Sequence, residues 1–167
     1  MGETAGTGTL TASSISLGAG IGSGYEIPSG NIEIQGGVIT ADGGIGAAGI
    51  GSSYNASCGN ITISGGTVTA NGGSSGAGIG GGQSGSCGNI TISGGTVTAN
   101  GSGRAAGIGG SSGASSSCGN ITITSDVTSV TATKGDEAPN SIGAGNQGTC
   151  GTVTIAGTET GNITTSP

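Results

Sequence analysis

The sequence predicts an all-β fold: a parallel β-helix (β-solenoid) with three short strands in each coil of about 29 to 32 residues. Three observations support this class. A repeat of that length runs along the chain, apolar residues alternate with Thr or Ser inside each repeat, and 43 of the 167 residues are glycine. A repeat this short cannot bury its own apolar side chains, so successive repeats must stack.

The repeat is clearest in the middle of the chain, where two successive units begin with GNITISGGTVTAN and end in Cys. Flanking units carry the same pattern with more substitutions. We therefore predict one solenoid domain over residues 1–167, made of four full coils between two partial ones: 1–29, 30–58, 59–87, 88–118, 119–150 and 151–167.

Each coil contains three segments that are typical of short strands. In the second full coil, Ile-Thr-Ile at 61–63 alternates apolar and polar side chains, as a strand with one buried face does. A Gly-Gly turn leads to a second alternating strand, Thr-Val-Thr-Ala at 67–70. The third strand is the Gly-Ala-Gly-Ile-Gly segment at 76–80. A helical repeat is disfavoured, because Gly costs about 1 kcal/mol at each helix position.

The repeat also predicts which side chains stack inside the solenoid. We expect four internal columns, each with one residue per coil: Ile32, Ile61, Ile90 and Ile121; Ile34, Ile63, Ile92 and Ile123; Ile39, Val68, Val97 and Val130; and Ile21, Ile50, Ile79, Ile108 and Ile142.

Composition excludes several function classes. The net charge is −6 and the only basic residues are Arg104 and Lys134, so we expect no nucleic-acid partner. Every apolar run is short, so we expect no membrane insertion, and residues 1–20 do not resemble a signal peptide. The chain has no His, which removes the base of a serine triad although residues 72–76 fit GxSxG. We predict a non-enzymatic protein without catalytic, cofactor-binding or metal-binding residues.

One cysteine closes each full coil, and the register stacks the four side chains: Cys58, Cys87, Cys118 and Cys150. Disulfides between neighbouring coils and a ladder of buried thiols both fit this arrangement. We favour the thiols, because the Cβ atoms of stacked residues about 4.8 Å apart lie slightly too far apart for a disulfide. A zinc site is disfavoured, since four sulfurs in a line do not form a tetrahedron.

One asparagine begins the first strand of each full coil: Asn31, Asn60, Asn89 and Asn120. Three of these residues lie in Asn-Ile-Thr sequons, so N-glycosylation is one interpretation. Repetition at a single structural position favours the other, a stacked ladder in which each side-chain amide bonds to the next.

Threonine is the main outward residue of the predicted strands. The candidate binding face consists of Thr62, Thr67, Thr69, Thr91, Thr96, Thr98, Thr122 and Thr131. A regular array of Thr hydroxyls and methyls resembles the ice-binding face of insect and microbial β-solenoid antifreeze proteins. Thr is also a common residue on exposed strands, which is the simpler interpretation.

The unit GNITISGGTVTANGG…GAGIGGG resembles Gly-rich β-helical repeats of large bacterial surface and secreted proteins, some of them labelled adhesin or carbohydrate-binding. The resemblance implies an extracellular or cell-surface location and a structural or adhesin-type role, with a glycan or a surface protein as partner. Ice is the alternative partner, and stacking of open ends would allow self-association. In the variable corner at 133–140, candidate contact residues are Lys134, Asp136 and Glu137.

Overall fold

The computed structural model describes residues 8–156 and 163–166 and shows a solenoid of stacked coils. The rest of the two predicted partial coils, residues 1–7, 157–162 and 167, lies outside the described part of the chain. The described residues contain no helix that is long and apolar enough to cross a membrane.

The strands form four parallel sheets that run along the solenoid. The long sheet contains, in hydrogen-bonded order, β1 (Thr9–Ser13), β4 (Val38–Asp42), β7 (Thr67–Asn71), β11 (Thr96–Asn100), β15 (Ser129–Thr133) and β19 (Ile163–Thr165). The Ile-Thr-Ile sheet contains β3 (Ile32–Ile34), β6 (Ile61–Ile63), β10 (Ile90–Ile92), β14 (Ile121–Ile123) and β18 (Val153–Ile155).

The other two sheets have two-residue strands. The Ile-Gly sheet contains β2 (Ile21–Gly22), β5 (Ile50–Gly51), β8 (Ile79–Gly80), β12 (Ile108–Gly109) and β16 (Ile142–Gly143). The Cys sheet contains β9 (Ser86–Cys87), β13 (Ser117–Cys118) and β17 (Thr149–Cys150). The predicted parallel β-solenoid is confirmed. The Cys sheet adds a strand that the sequence does not reveal, because two residues are too few to show an alternating pattern.

The coils stack in the register that the repeat predicts. Ile90 pairs with Ile61 on one side and with Ile121 on the other, and the other three predicted columns are in register as well. The central members, such as Val97 and Ile108, are completely buried. Each large apolar side chain therefore rests on its equivalent in the next coil, which makes one continuous hydrophobic core.

A second part of the interior is built from small residues instead of Ile and Val. Ala77 and Ala106 are completely buried there, as are Ser52, Ser53 and Ser111. The hydroxyl of Ser52 accepts a 2.9 Å hydrogen bond from the backbone N–H of Gly82 in the next coil. Buried hydroxyls of this kind need partners, and the neighbouring coil supplies them. The sequence pattern does not reveal the buried serines, because Ser is mostly a surface residue.

Glycine is required where the Ile-Gly strands turn. The second residue of all five strands is Gly, with φ between 129° and 137°. A Cβ on Gly80 would collide with the carbonyl oxygen of Gly109 in the next coil, so the backbone conformation and the close approach of the coils both select glycine.

We predict that Gly80→Ala lowers the melting temperature by at least about 5 °C, because strain at such a φ costs roughly 1–3 kcal/mol before the collision is counted. Gly81→Ala is the matched control, since the nearest atom to its added Cβ lies 3.4 Å away. Thermal denaturation followed by circular dichroism measures both variants, and equal melting temperatures would contradict the prediction.

Candidate functional site

The long sheet presents one threonine column to the exterior. It crosses all six strands in register and contains Thr11, Thr40, Thr69, Thr98, Thr131 and Thr164. The candidate face predicted from the sequence includes Thr69, Thr98 and Thr131 of this column. Thr11 and Thr164 lie in the terminal coils, where the repeat is poorly preserved, so the sequence does not reveal them. Neighbouring hydroxyls in the column are separated by about one strand spacing, 4.8 Å.

A second column on the same sheet is less regular. Thr67 and Thr96 lie side by side, but Val38 and Ser129 occupy the positions next to them. Two residues along a strand separate the two columns, a distance of about 6.6 Å.

The remaining candidate threonines lie on a different sheet. Thr62, Thr91 and Thr122 form a partly exposed column on the Ile-Thr-Ile sheet, and Glu33 continues that column in the preceding coil. The eight candidate residues therefore belong to two sheets joined by the Gly-Gly turn, and the structure does not gather them into one plane of strands.

A side-chain ladder borders the threonine column on the long sheet. Asn100 donates from Nδ2 to Oδ1 of Asn71 at 2.8 Å, and Asn71 donates from Nδ2 to Oδ1 of Asp42 at 2.7 Å. Ser13 completes the ladder with a 2.9 Å hydrogen bond to the Asp42 carboxylate. Asn71 and Asn100 occupy equivalent positions in adjacent repeats, but the repeat alone does not show that their side chains bond to each other. The ladder holds four side chains at the edge of the outward surface.

The predicted asparagine ladder is held by different bonds from those expected. Oδ1 of Asn60 accepts a 2.9 Å hydrogen bond from the backbone N–H of Asn89, and Oδ1 of Asn89 accepts one of the same length from Asn120. Asn31 and Asn120 continue the series at its two ends. The bonds join side chain to backbone, instead of amide to amide, because each N–H lies over the carboxamide oxygen of the coil before it.

The four cysteines lie in one column but are not in one chemical state. Cys118 and Cys150 form a disulfide with their Cα atoms 4.6 Å apart, whereas Cys58 and Cys87 are buried thiols. The prediction of free thiols in all coils is therefore wrong for Cys118 and Cys150, because their Cα separation of 4.6 Å lies inside the disulfide range. Cys58, Cys87 and Cys118 belong to the hydrophobic core.

The two thiols influence each other. The hydrogen bond between them, together with burial, raises the pKa of Cys87 well above its ordinary value. The same bond lowers the pKa of Cys58, because a thiolate there accepts a hydrogen bond from the Cys87 thiol.

The corner after β15 contains the three predicted contact residues. Glu137 forms a 2.7 Å ion pair with Nε of Arg104 from the preceding coil, and both side chains are more than half exposed. The backbone N–H of Lys134 donates to the hydroxyl of Ser166, and Asp136 is exposed. An exposed pair of this kind adds little stability, so its effect is to join neighbouring loops. The described residues contain no group of three or more His, Cys, Asp or Glu that could hold a metal ion.

Comparison with known families identifies the repeat. A family model described as a beta helix repeat matches residues 5–25, 32–54, 61–83 and 90–112, which together are more than half of the chain. The chain belongs to the beta helix repeat family. The last three matches begin at the first residue of a strand of the Ile-Thr-Ile sheet, so the beta helix repeat and the structural coil have the same period.

Neither the curated proteins nor the solved structures include one that matches the chain significantly. Membership of the beta helix repeat family accounts for the architecture and assigns no reaction, because a fold by itself does not carry an activity. The function therefore depends on the side chains of the outward surfaces.

We predict that Ellman's reagent detects two free thiols, Cys58 and Cys87, in the denatured but unreduced protein. In the folded protein, Cys87→Ala should move the alkylation of Cys58 to higher pH, because the hydrogen bond that lowers the Cys58 pKa is lost. Alkylation by iodoacetamide across a pH series, followed by mass spectrometry, measures the shift.

The double variant Cys118→Ala/Cys150→Ala is the control and should leave the pH dependence of Cys58 unchanged. Four thiols in the unreduced protein would contradict the disulfide assignment, and an unchanged profile in Cys87→Ala would contradict the assigned hydrogen bond.

Proposed function

We propose that the chain is a non-enzymatic structural segment of adhesin type, belonging to a bacterial surface or secreted protein, which holds loops in position for contact with a glycan or a surface protein. The observation that supports this role is the stacking of all described coils in parallel and in register. Such a stack is stiff along its axis, because every coil is hydrogen-bonded to its neighbours.

Differences between coils are concentrated at the corners, as a presentation role requires. Strands of the long sheet keep five residues from β4 to β15. The connection from β12 to β13 is two residues longer than that from β8 to β9, and the connection after β15 is one residue longer than that after β11. Insertions at one corner of a solenoid change the contact surface without disturbing the stack. The corner with Lys134, Asp136 and Glu137 is our candidate for protein contacts.

Two chemical features favour a location outside the cytosol. Cys118 and Cys150 form a disulfide, and disulfides persist in oxidising compartments and are rare in the cytosol. The outward surface is dominated by Thr, Ser, Asn and Gly, with charged residues making up 6% of the chain. The absence of His and the burial of both free thiols leave few groups for nucleophilic or acid–base chemistry, which supports a non-enzymatic role.

We predict that inserting three further copies of residues 59–87 after residue 87 leaves the fold intact and lengthens the particle by about 14 Å, since each added coil contributes about 4.8 Å. Beads coated with either protein should be retained equally on immobilised glycans or extracellular-matrix proteins, because a spacer tolerates added length. Small-angle scattering measures the length, and a flow chamber measures retention.

A collapsed or unfolded insertion variant would contradict the spacer role. Absence of retention of the unaltered protein on every surface would contradict the adhesin role. A scrambled copy of residues 59–87 is the control, and it should prevent folding because it lacks the stacking register.

Ice binding is the second candidate, and the six-membered threonine column favours it. The column provides hydroxyl and methyl groups at regular intervals of about 4.8 Å along the long sheet. Val38 and Ser129 interrupt only the neighbouring column.

If the column binds ice, the protein shows thermal hysteresis and faceted crystals at micromolar concentration, and Thr69→Tyr/Thr98→Tyr abolishes both by placing bulky rings on the column. The matched control is Thr62→Tyr/Thr91→Tyr, which alters the Ile-Thr-Ile sheet and should leave the hysteresis intact. Nanolitre osmometry measures the effect. Absence of hysteresis in the unaltered protein excludes this candidate.

A further inference from the structure

The only aromatic residues of the chain lie together on one corner of the solenoid. The sequence contains two Tyr and no Trp or Phe. The rings of Tyr25 and Tyr54 stack with their centroids 5.9 Å apart and their planes inclined by 24°. Tyr25 is 44% exposed and Tyr54 is half-buried. The hydrophobic core consists of Ile, Val, Ala and Cys, so these rings are not needed to fill it.

The corner has the same backbone geometry in successive coils. Glu26 donates from its backbone N–H to the carbonyl of Tyr54, and Asn55 donates in the same way to the carbonyl of Gln83. Tyr25, Tyr54 and Gln83 therefore occupy equivalent positions, and the first three matches to the family repeat end at these residues.

The residue that follows each of these positions has an unusual conformation. Glu26, Asn55 and Ser84 have φ between 51° and 55°, a left-handed conformation that is uncommon outside glycine. A non-glycine residue there costs free energy, and such sites are frequently functional. This corner keeps polar side chains where glycine would be less strained.

Gly46 shapes the floor beside the second ring. A Cβ at this position would lie 2.9 Å from Cδ2 of Tyr54, and the φ of 71° also selects glycine. The carbonyl of Gly46 accepts a 2.7 Å hydrogen bond from the backbone N–H of Gln83, so Gly46 and Gln83 are held beside the Tyr54 ring. Exposed apolar residues adjoin the corner in sequence, with Ile27 65% exposed and Ile45 62% exposed.

We propose that the Tyr25–Tyr54 corner binds the pyranose rings of a neutral polysaccharide. The face of an aromatic ring is electron-rich and attracts the C–H groups on the apolar face of a sugar. Glu26 and Asn55 are exposed, and Gln83 is partly exposed, so carboxylate and amide groups surround the rings and can bond to sugar hydroxyls. Because the two rings stack on each other with their centroids 5.9 Å apart, each has one face turned away from the pair, and Tyr25 is the more exposed of the two rings.

The surrounding charges select a neutral ligand. The corner contains Glu26 and no cation, because Arg104 and Lys134 lie in later coils and Arg104 is paired with Glu137. A sulfated or phosphorylated ligand would be repelled by the carboxylate and by the net charge of −6. Nucleic-acid bases, which also stack on tyrosine, are disfavoured for the same reason.

The carboxylate of Glu26 favours a saccharide over a proline-rich peptide. It raises the pKa of the Tyr25 hydroxyl above its ordinary value, through a hydrogen bond first and through its negative charge second. A carboxylate accepts hydrogen bonds and donates none, so it suits the many O–H donors of a sugar better than a proline-rich backbone, in which proline has no N–H.

This inference rests on the proposed role in presentation and assigns a ligand class to it. The test is affinity electrophoresis of the full chain in native gels that contain dextran, laminarin, galactomannan or hydroxyethyl cellulose. We expect at least one polymer to retard the protein, and Tyr25→Ala/Tyr54→Ala to weaken that binding at least tenfold. Tyr25→Phe/Tyr54→Phe keeps both rings and should retain most of the binding. Thr128→Ala/Thr152→Ala, at two exposed positions of later coils, is the control.

A spectroscopic measurement in the unaltered protein does not depend on whether the alanine variants fold. Because the chain has no Trp, its fluorescence on excitation at the tyrosine absorption band comes from Tyr25 and Tyr54 alone. Titration with the retarding polymer should change that emission saturably and with the same affinity as the gels.

The remaining outcomes would overturn the inference, and they distinguish failure of the saccharide site from failure of the presentation role. Retardation that is equal in the double alanine variant and the unaltered protein, with unchanged tyrosine emission, would place the ligand elsewhere and leave the presentation role standing. Absence of retardation by all four polymers would overturn the saccharide assignment, as would saturable binding of a polyproline peptide. Loss of bead retention on every surface would overturn the presentation role itself.

Discussion

Hydrogen bonding between coils, one strand spacing apart and without offset, is the constraint on which the whole structure depends. It places each residue directly over its equivalent in the next coil, as with Ile61, Ile90 and Ile121. Repetition in the sequence therefore becomes a column in space. The same spacing leaves no room for a side chain where Gly80 faces the carbonyl oxygen of Gly109, so high glycine content and regular stacking have one cause.

Because identical residues stack, every column is a row of identical side-chain groups. A threonine column becomes a ridge of hydroxyls, an Asn71–Asn100 pair becomes part of a hydrogen-bonded ladder, and a cysteine column allows both a disulfide and a thiol pair. Function in such a solenoid therefore depends on the positions where the repetition fails. The tyrosine corner is one such position, since Gln83 replaces an aromatic residue in the following coil.

Membership of the beta helix repeat family explains the architecture, whereas the role of the protein depends on its outward surfaces. The family match explains the period of about 29 residues and the three main strands. It does not distinguish a spacer from an ice-binding or saccharide-binding protein, because these roles depend on side chains that face solvent. Those side chains lie on separate surfaces: threonines on the long sheet, aromatic rings at the corner, and the Arg104–Glu137 pair between loops.

The sequence by itself determined the fold class and the four apolar columns, because an exact repeat leaves one register that buries Ile and Val together. Only the tertiary structure decided which cysteines are bonded, how Asn60 bonds to Asn89, and that Tyr25 meets Tyr54. These outcomes depend on distances between atoms in different coils and on corner geometry. Residue spacing alone does not specify either, since Tyr25 and Tyr54 lie in coils whose repeats have diverged.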